Sequence, residues 1–265
     1  MNLAFEKYQG AGNDFIFFEA RWKDYFDASG LAALCDRHFG VGADGVIFLS
    51  PPEKGVMNMH YFNSDGREST MCGNGGRCAA AYAYRKGWVN SRMSILAADG
   101  LHQAIVIRAE GKEAWVELEM RDAPVPGHTG DGFFIDTGSP HHVIFVRDVS
   151  NIDLRKEGAA IRYSSTYAPG GTNVDFVAVK DPFLEVRTYE RGVEDETLAC
   201  GTGATAVAMV NAYRQKLQGP CLQEIHMPGG ILQVRFDFDG HNFRNVWLCG
   251  PAIFVFEGRI NPMTL

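Results

Sequence analysis

Hydrophobic positions along the chain fall mostly into short alternating runs, the pattern of half-buried strands. Leu3 to Tyr8 and Asp14 to Glu19 read as strands around the turn cluster Gly10-Ala11-Gly12-Asn13. Met57 to Phe62, Ser94 to Ala98, Gln103 to Ala109 and Ala114 to Met120 follow in the first half. Phe133 to Asp136, Val143 to Val146, Phe183 to Tyr189, Ile231 to Phe238, Val246 to Leu248 and Ile253 to Ile260 follow in the second. Helical spacing is rarer. Leu31 to Phe39 predicts a helix with Leu31, Leu34 and Cys35 on one face. A second runs from about Gly73 to Arg85-Lys86, with Gly87 as its cap. A third follows Cys200 to about Leu217, stopped by Gly219-Pro220. The helix after Cys72 is apolar on nearly every face, so it should lie buried at a centre, wrapped by strands.

The two long helices share a beginning. Glu68-Ser69-Thr70-Met71-Cys72-Gly73-Asn74-Gly75-Gly76 is matched by Glu196-Thr197-Leu198-Ala199-Cys200-Gly201-Thr202-Gly203-Ala204, at an offset of 200 − 72 = 128 residues. A repeat near half the chain implies two similar domains, since solenoid repeats are far shorter. Glycine just inside a helix start leaves backbone N–H groups unshielded. Those groups and the helix dipole favour an anion and lower the pKa of a nearby thiol. Each segment therefore offers an anion seat beside a candidate base. A third glycine cluster, Gly40-Val41-Gly42-Ala43-Asp44-Gly45, matches the dinucleotide pattern in letters but runs helix, glycines, strand, the reverse order; it reads as a tight turn.

Composition narrows the classes. The 265 residues suffice for one large or two ordinary domains, and 46% hydrophobic with 22% charged residues is globular. A net charge of −7 argues against nucleic acid and acidic membranes as partners. Met1 to Lys7 shows no signal peptide and no run reaches membrane length, so a cytoplasmic protein is expected. Six scattered cysteines suit a reducing compartment.

Cys72 and Cys200 could be buried fillers, a disulfide, metal ligands or functional thiols. No C-x-x-C or H-x-x-x-H accompanies either, so no metal is expected. Cys35, Cys78, Cys221 and Cys249 lack the glycine context and read as structural. A symmetric pair of thiols fits a symmetric reaction, one taking a proton from a carbon as thiolate and the other returning one as thiol. The helix starts would hold a carboxylate next to that carbon. No phosphate cup with an attendant lysine signals pyridoxal phosphate, so no cofactor is expected.

With these motifs, the chain resembles the diaminopimelate epimerases along nearly its whole length. The resemblance rests on Gly-Ala-Gly-Asn13-Asp-Phe, Phe-Asn63-Ser-Asp-Gly, Met-Cys72-Gly-Asn-Gly-Gly-Arg-Cys, Ser-Pro-His141, Thr-Asn173-Val-Asp-Phe, Tyr-Glu190-Arg191-Gly, Ala-Cys200-Gly-Thr-Gly-Ala and Met227-Pro-Gly-Gly. It implies an α/β (α+β) fold of two pseudo-symmetric domains, each a curled mixed sheet around a central helix, over 1–112 plus 252–265 and over 113–251. It implies conversion of L,L- to meso-diaminopimelate in lysine and peptidoglycan precursor biosynthesis, by a homodimer. Cys72 and Cys200 would be the acid/base thiols, with His141 and Glu190 setting their protonation. Gly73-Asn74 and Gly201-Thr202 would hold the reacting carboxylate. Asn13, Asn63, Asn173, Glu190 and Arg191 would hold the ammonium groups and distal carboxylate, Arg191 being suited to bidentate contact.

Three positions depart from the family pattern. Gly45 stands where some members carry a substrate-contacting glutamine, Ser139 where they carry asparagine, and Phe256 where they carry a tyrosine of the dimer contact. Rival readings are a proline racemase or hydroxyproline epimerase, which usually carries histidine at the position of Asn74, a phenazine-type isomerase lacking the cysteine pair, and a non-catalytic amino acid binding protein.

Overall fold

The computed structural model describes residues 2–70 and 72–262, so Met71 of the first cysteine motif lies outside the described residues. The chain divides into two compact units, Met1–Leu118 with Gly250–Leu265, and Glu119–Cys249. The first contains β1 (Leu3–Gly10), β2 (Asn13–Glu19), α1 (Ala28–Cys35), β3 (Gly45–Leu49), β4 (Val56–Asn63), β5 (Glu68–Ser69), α2 (Gly73–Arg85), β6 (Arg92–Ala97), β7 (Gly100–Glu110) and β8 (Glu113–Glu119). The second contains β9 (Ala123–Pro124), β10 (Gly127–Thr129), β11 (Gly132–Asp136), β12 (Pro140–Phe145), α3 (Leu154–Arg162), β13 (Asn173–Val179), β14 (Phe183–Glu190), β15 (Asp195–Thr197), α4 (Gly201–Arg214), β16 (Gly219–Met227) and β17 (Gly230–Phe238). The long strand β18 (Asn242–Ile260) starts in the second unit and finishes in the first.

Both units follow one pairing sequence. In the first, β1–β2 is antiparallel, β2–β3 parallel, β3–β4 and β4–β5 antiparallel, β4–β6 parallel, and β6–β7–β8 antiparallel. In the second, β11–β12 is antiparallel, β12–β13 parallel, β13–β14 and β14–β15 antiparallel, β14–β16 parallel, and β16–β17–β18 antiparallel. The repeat seen around the cysteines thus extends through the topology. In the first unit β18 pairs with β8 at Gly250–Ile253 and with β1 through Ile260, which closes the sheet on itself. The fold is mixed α/β and strand-rich, and each unit carries one long helix.

The long helices are buried for a compositional reason. Alanine and glycine let strands approach on all sides, and every residue from Gly73 to Ala83 is buried. In α4 the buried set is Gly201 and Gly203 through Ala212. Tyr82 closes the far end of α2, stacked on Phe17 at 5.1 Å and edge-on to Tyr8 and Trp88. The shorter helices cover separate apolar clusters, α1 over Phe18, Val46 and Phe48, and α3 over Val174, Phe176 and Tyr189. Among the described residues no helix is long and apolar enough to cross a membrane, which says nothing of strands.

Local boundaries differ from the sequence reading where hydrogen bonding overrides pattern. The first helix starts at the Asp27 cap, whose carboxylate accepts from the Gly30 N–H, and ends at Cys35 rather than Phe39. Gly87 does cap α2: its N–H donates to the Tyr84 carbonyl and that of Trp88 to Ala83, with Gly87 at φ +68°. In α4, however, the left-handed cap is Lys216 at φ +56°, and Gly219-Pro220 instead open β16. Glu110-Gly111-Lys112 turns the β7–β8 hairpin, where Glu110 pairs with Glu113, so the first unit continues past residue 112 to Leu118 and resumes at Gly250. The strands read at Val246 to Leu248 and Ile253 to Ile260 are parts of one continuous β18.

Candidate active site

Cys72 and Cys200 occupy the same place, the residue just before their helix, with extended backbone at φ −99° and −114°. The first intrahelical bonds run from the Gly76 N–H to the Cys72 carbonyl and from the Ala204 N–H to that of Cys200. Neither sulfur serves as a side-chain cap. By helix geometry the N–H groups of Gly73-Asn74 and Gly201-Thr202 belong to the first turn, which lies before the first i to i−4 bond. The turn Met227 to Gly230 steadies the second thiol loop, the Gly229 N–H donating to the Leu198 carbonyl at 2.7 Å.

Around Cys72 the neighbours are amides. The Cys72 thiol donates to the Asn13 Oδ1 at 3.4 Å, and the same oxygen accepts from the Asn74 amide at 3.3 Å. The Asn13 amide in turn donates to Asp44 at 2.6 Å. Arg37 bridges Asp44 and Asp14, and Lys7 pairs with Asp14 at 2.8 Å. Burial works against ionisation of Asp14, but Arg37 and Lys7 outweigh it and hold its carboxyl at about 2. Beneath the helix start, the fully buried Arg77 donates to the Gly73 carbonyl and the Asn74 Oδ1. Asn63 ends β4 and is exposed, with its backbone closing the turn to Gly66 and Arg67.

Around Cys200 the neighbours can move protons. The Cys200 sulfur lies 3.4 Å from the Thr202 Oγ. The Thr202 Oγ lies 2.9 Å from the His141 Nε2, and the His141 Nδ1 lies 2.7 Å from Asp175. The other oxygen of Asp175 accepts from the Thr188 hydroxyl at 2.7 Å. His141, Asp175 and Thr188 are all fully buried. Burial first, then the charges of Glu190 and Asp175, push the Cys200 thiol well above its ordinary value, against the Thr202 hydroxyl and the Gly203 N–H. These surroundings favour the thiol form of Cys200 over the thiolate.

The nearby Asn173 amide donates to the Ser139 hydroxyl at 2.9 Å and the Pro140 carbonyl at 3.0 Å, while its oxygen accepts from the Arg191 N–H at 2.8 Å. The exposed Arg191 guanidinium reaches Ser139 at 3.4 Å. Asn173 and Ser139 thus hold the loop that presents Arg191.

The sequence-read residues sort cleanly by unit: Asn13, Asn63, Cys72, Gly73 and Asn74 in the first, and His141, Asn173, Glu190, Arg191, Cys200, Gly201 and Thr202 in the second. Asp175, Thr188 and Asp44 were not among them. Asp175 had a signal, because Asn173 and Asp175 lie two apart on one strand and so share a face. Two departures also gain a physical account. Ser139 holds both Asn173 and Arg191. At Gly45 a Cβ would sit 2.5 Å from the Phe62 carbonyl oxygen and 2.5 Å from the Tyr61 ring, so the slot of the family glutamine is filled. Gly45→Gln is expected to destabilise the fold by about 1–3 kcal/mol, read as a lower thermal midpoint. An unchanged midpoint would show that Tyr61 swings aside.

The profile of the family described as diaminopimelate epimerase matches residues 5–124 and 133–255, both cysteine segments included. The chain belongs to the diaminopimelate epimerase family. Among diaminopimelate epimerases, that of Flavobacterium psychrophilum is 43% identical over 257 residues, spanning 96% of this chain and 98% of the relative. The fold extends further. A phenazine biosynthesis protein of the PhzF family from Bacillus anthracis superposes at TM-score 0.75 with 14% identity, over 98% of this chain and 99% of that one. A hydroxyproline epimerase from Agrobacterium vitis superposes at 0.68 with 13% identity, over 98% and 91%. At such identities the likeness shows architecture alone.

Proposed function

We propose that this chain interconverts L,L- and meso-diaminopimelate without a cofactor, Cys72 and Cys200 acting as the acid/base pair on one α-carbon. The observation that carries the reading is the duplication: two domains of one topology each set a cysteine before a buried, glycine-started helix, in a chain of this family. One thiolate takes the α-proton and the opposite thiol returns one, inverting the centre. The N–H groups of Gly73-Asn74 and Gly201-Thr202 hold the α-carboxylate and stabilise charge moving onto it. His141 and Glu190 set the protonation of Cys200, beside which both stand. Arg191 takes the distal carboxylate, with Glu190, Asn13 and Asn63 on the ammonium groups and Asn173 shaping the Arg191 loop.

The same reading places the protein in the cytoplasm, in lysine and peptidoglycan precursor biosynthesis, as a homodimer. In its support, none of the six cysteines is in a disulfide among the described residues. Phe256 on β18, at the family's dimer position, is partly exposed and stacked edge-on to Phe5.

The test is incubation with L,L-diaminopimelate in D₂O. The expected result is formation of the meso isomer with deuterium at one α-carbon. Absence of exchange, or comparable turnover of proline, would overturn the assignment.

A further inference from the structure

Superposing the strand registers of the two units pairs off the residues beneath each helix start. In the parallel β2–β3 pair, Phe15 aligns with Gly45 and Phe17 with Ile47. In the parallel β12–β13 pair, His141 aligns with Asn173 and Val143 with Asp175. Phe15 is therefore the counterpart of His141, Ile47 of Asp175, and Asn74 of Thr202. The glycines report the same match. A Cβ on Gly75 would meet Ile47 at 3.2 Å and Phe15 at 3.5 Å, while a Cβ on Gly203 would strike the Asp175 carboxylate at 2.6 Å. One fold has thus been built twice, once over an apolar pair and once over an ionisable one. Burying ionisable groups carries a desolvation cost that an apolar pair of similar volume avoids. Phe15 and Ile47 show that the topology does not need charge at these positions.

We infer that Thr202, His141 and Asp175 form a closed proton wire to Cys200, through which the thiol and the imidazole share one proton, with the Thr202 hydroxyl and the Asp175 carboxylate as positioning residues. The inference rests on the acid/base role proposed above for Cys200.

Hydrogen-bond chemistry gives the wire its direction. An ionised carboxylate only accepts, so Asp175 takes the His141 Nδ1–H on one oxygen and the Thr188 hydroxyl on the other. This fixes the His141 proton on Nδ1 and leaves an Nε2 lone pair facing Thr202, with the Asn173 amide also approaching Nε2 at 3.4 Å. The Thr202 hydroxyl must then donate to Nε2, and its oxygen accepts from the Cys200 S–H. In the transfer, the S–H bond breaks as its proton binds the Thr202 oxygen, and the original Thr202 proton moves to Nε2. The products are a thiolate and an imidazolium held by Asp175; the reverse steps restore the neutral pair. His141 and Asp175 are fully buried, so the proton stays within the wire.

The charges facing Cys200 are Glu190 at the end of β14 and Asp175 on β13; both disfavour the thiolate. The resting form is the thiol, ready to give a proton. For the opposite direction of the reaction Cys200 must accept one, and the wire supplies the place where its own proton goes, His141. In the first unit the counterpart positions of His141 and Asp175 are the apolar Phe15 and Ile47.

The test follows formation of the Cys200 thiolate by ultraviolet absorbance as pH rises, in the Cys72→Ala protein with Cys72→Ala/Cys200→Ala as baseline. Thr202→Val, which keeps the backbone N–H, is expected to leave about tenfold less thiolate at a given pH, a displacement of about one pKa unit, and Thr202→Ser to restore it. His141→Phe/Asp175→Ile, which copies the first unit, is expected to fold, judged by its melt, and to show the Thr202→Val displacement. In the protein with both thiols, Thr202→Val should lower kcat by about tenfold or more in the direction of the reaction in which Cys200 takes the proton, with a smaller change in KM and a displaced pH profile. Superimposable titrations for Thr202→Val and the unsubstituted protein would overturn the wire, and the threonine pair decides this even if the double variant does not fold. A displaced titration in a protein inactive on diaminopimelate would keep the wire and sink the substrate reading. An active enzyme with an unmoved titration would do the reverse.

Discussion

Cys72→Ala and Cys200→Ala should each lower epimerisation of L,L-diaminopimelate by about 10³-fold, within the range for loss of one positioned general acid or base. The two effects should be alike, because inversion needs a proton removed on one face and supplied on the other; either thiol alone completes half the event. The fold should survive both changes. Cys72 is only half buried, and Cys200, though buried, loses a single sulfur beside a helix whose first intrahelical bond runs from the Ala204 N–H to the Cys200 carbonyl and is kept. Steady-state rates alongside thermal melts are the measurement. Near-normal turnover by either folded variant would rule out the two-thiol reading.

Arg191→Ala should raise KM for L,L-diaminopimelate by about 10- to 100-fold, the equivalent of a charge-assisted contact worth roughly 1.5–3 kcal/mol. Its guanidinium is exposed and, among the described residues, meets the Ser139 hydroxyl at 3.4 Å, so its charge is available to a distal carboxylate. Its backbone N–H, which binds Asn173, is untouched by the substitution. The loss should therefore appear in substrate binding rather than in stability. L-Lysine, which has the distal amine but no distal carboxylate, supplies the control. The variant should narrow the preference for diaminopimelate over lysine. An unchanged KM would place recognition of the far end elsewhere.

Much of the site was legible because its chemistry is written in short motifs. Cysteine followed by Gly-x-Gly before an alanine-rich run specifies a thiol at a helix start wherever it occurs, since backbone freedom and helix polarity are local properties. The alternation of apolar residues gave most strands, and the apolar circumference of the long helices implied their burial. The misreadings fell where the deciding partner is remote or the chain turns against type. Lys216 takes the left-handed cap three residues before Gly219-Pro220, the pair read as the stop of that helix. Glu110-Gly111-Lys112 resembles a linker in composition, and only the pairing of β7 with β8 makes it a hairpin.

By itself, then, the sequence determined that there are two cysteines alike in local context, each before a glycine-started helix, and which turns carry polar side chains. It did not determine that the thiols are unequal. That was decided by the parallel pairings β2–β3 and β12–β13, which bring Phe15 with Ile47 beneath one helix and His141 with Asp175 beneath the other. Each pair is separated by more than thirty residues, with a helix between its strands. Motif spacing cannot reveal such a meeting, because a residue's electrostatic surroundings depend on strand register across the sheet, and register is set by the packing of the whole unit.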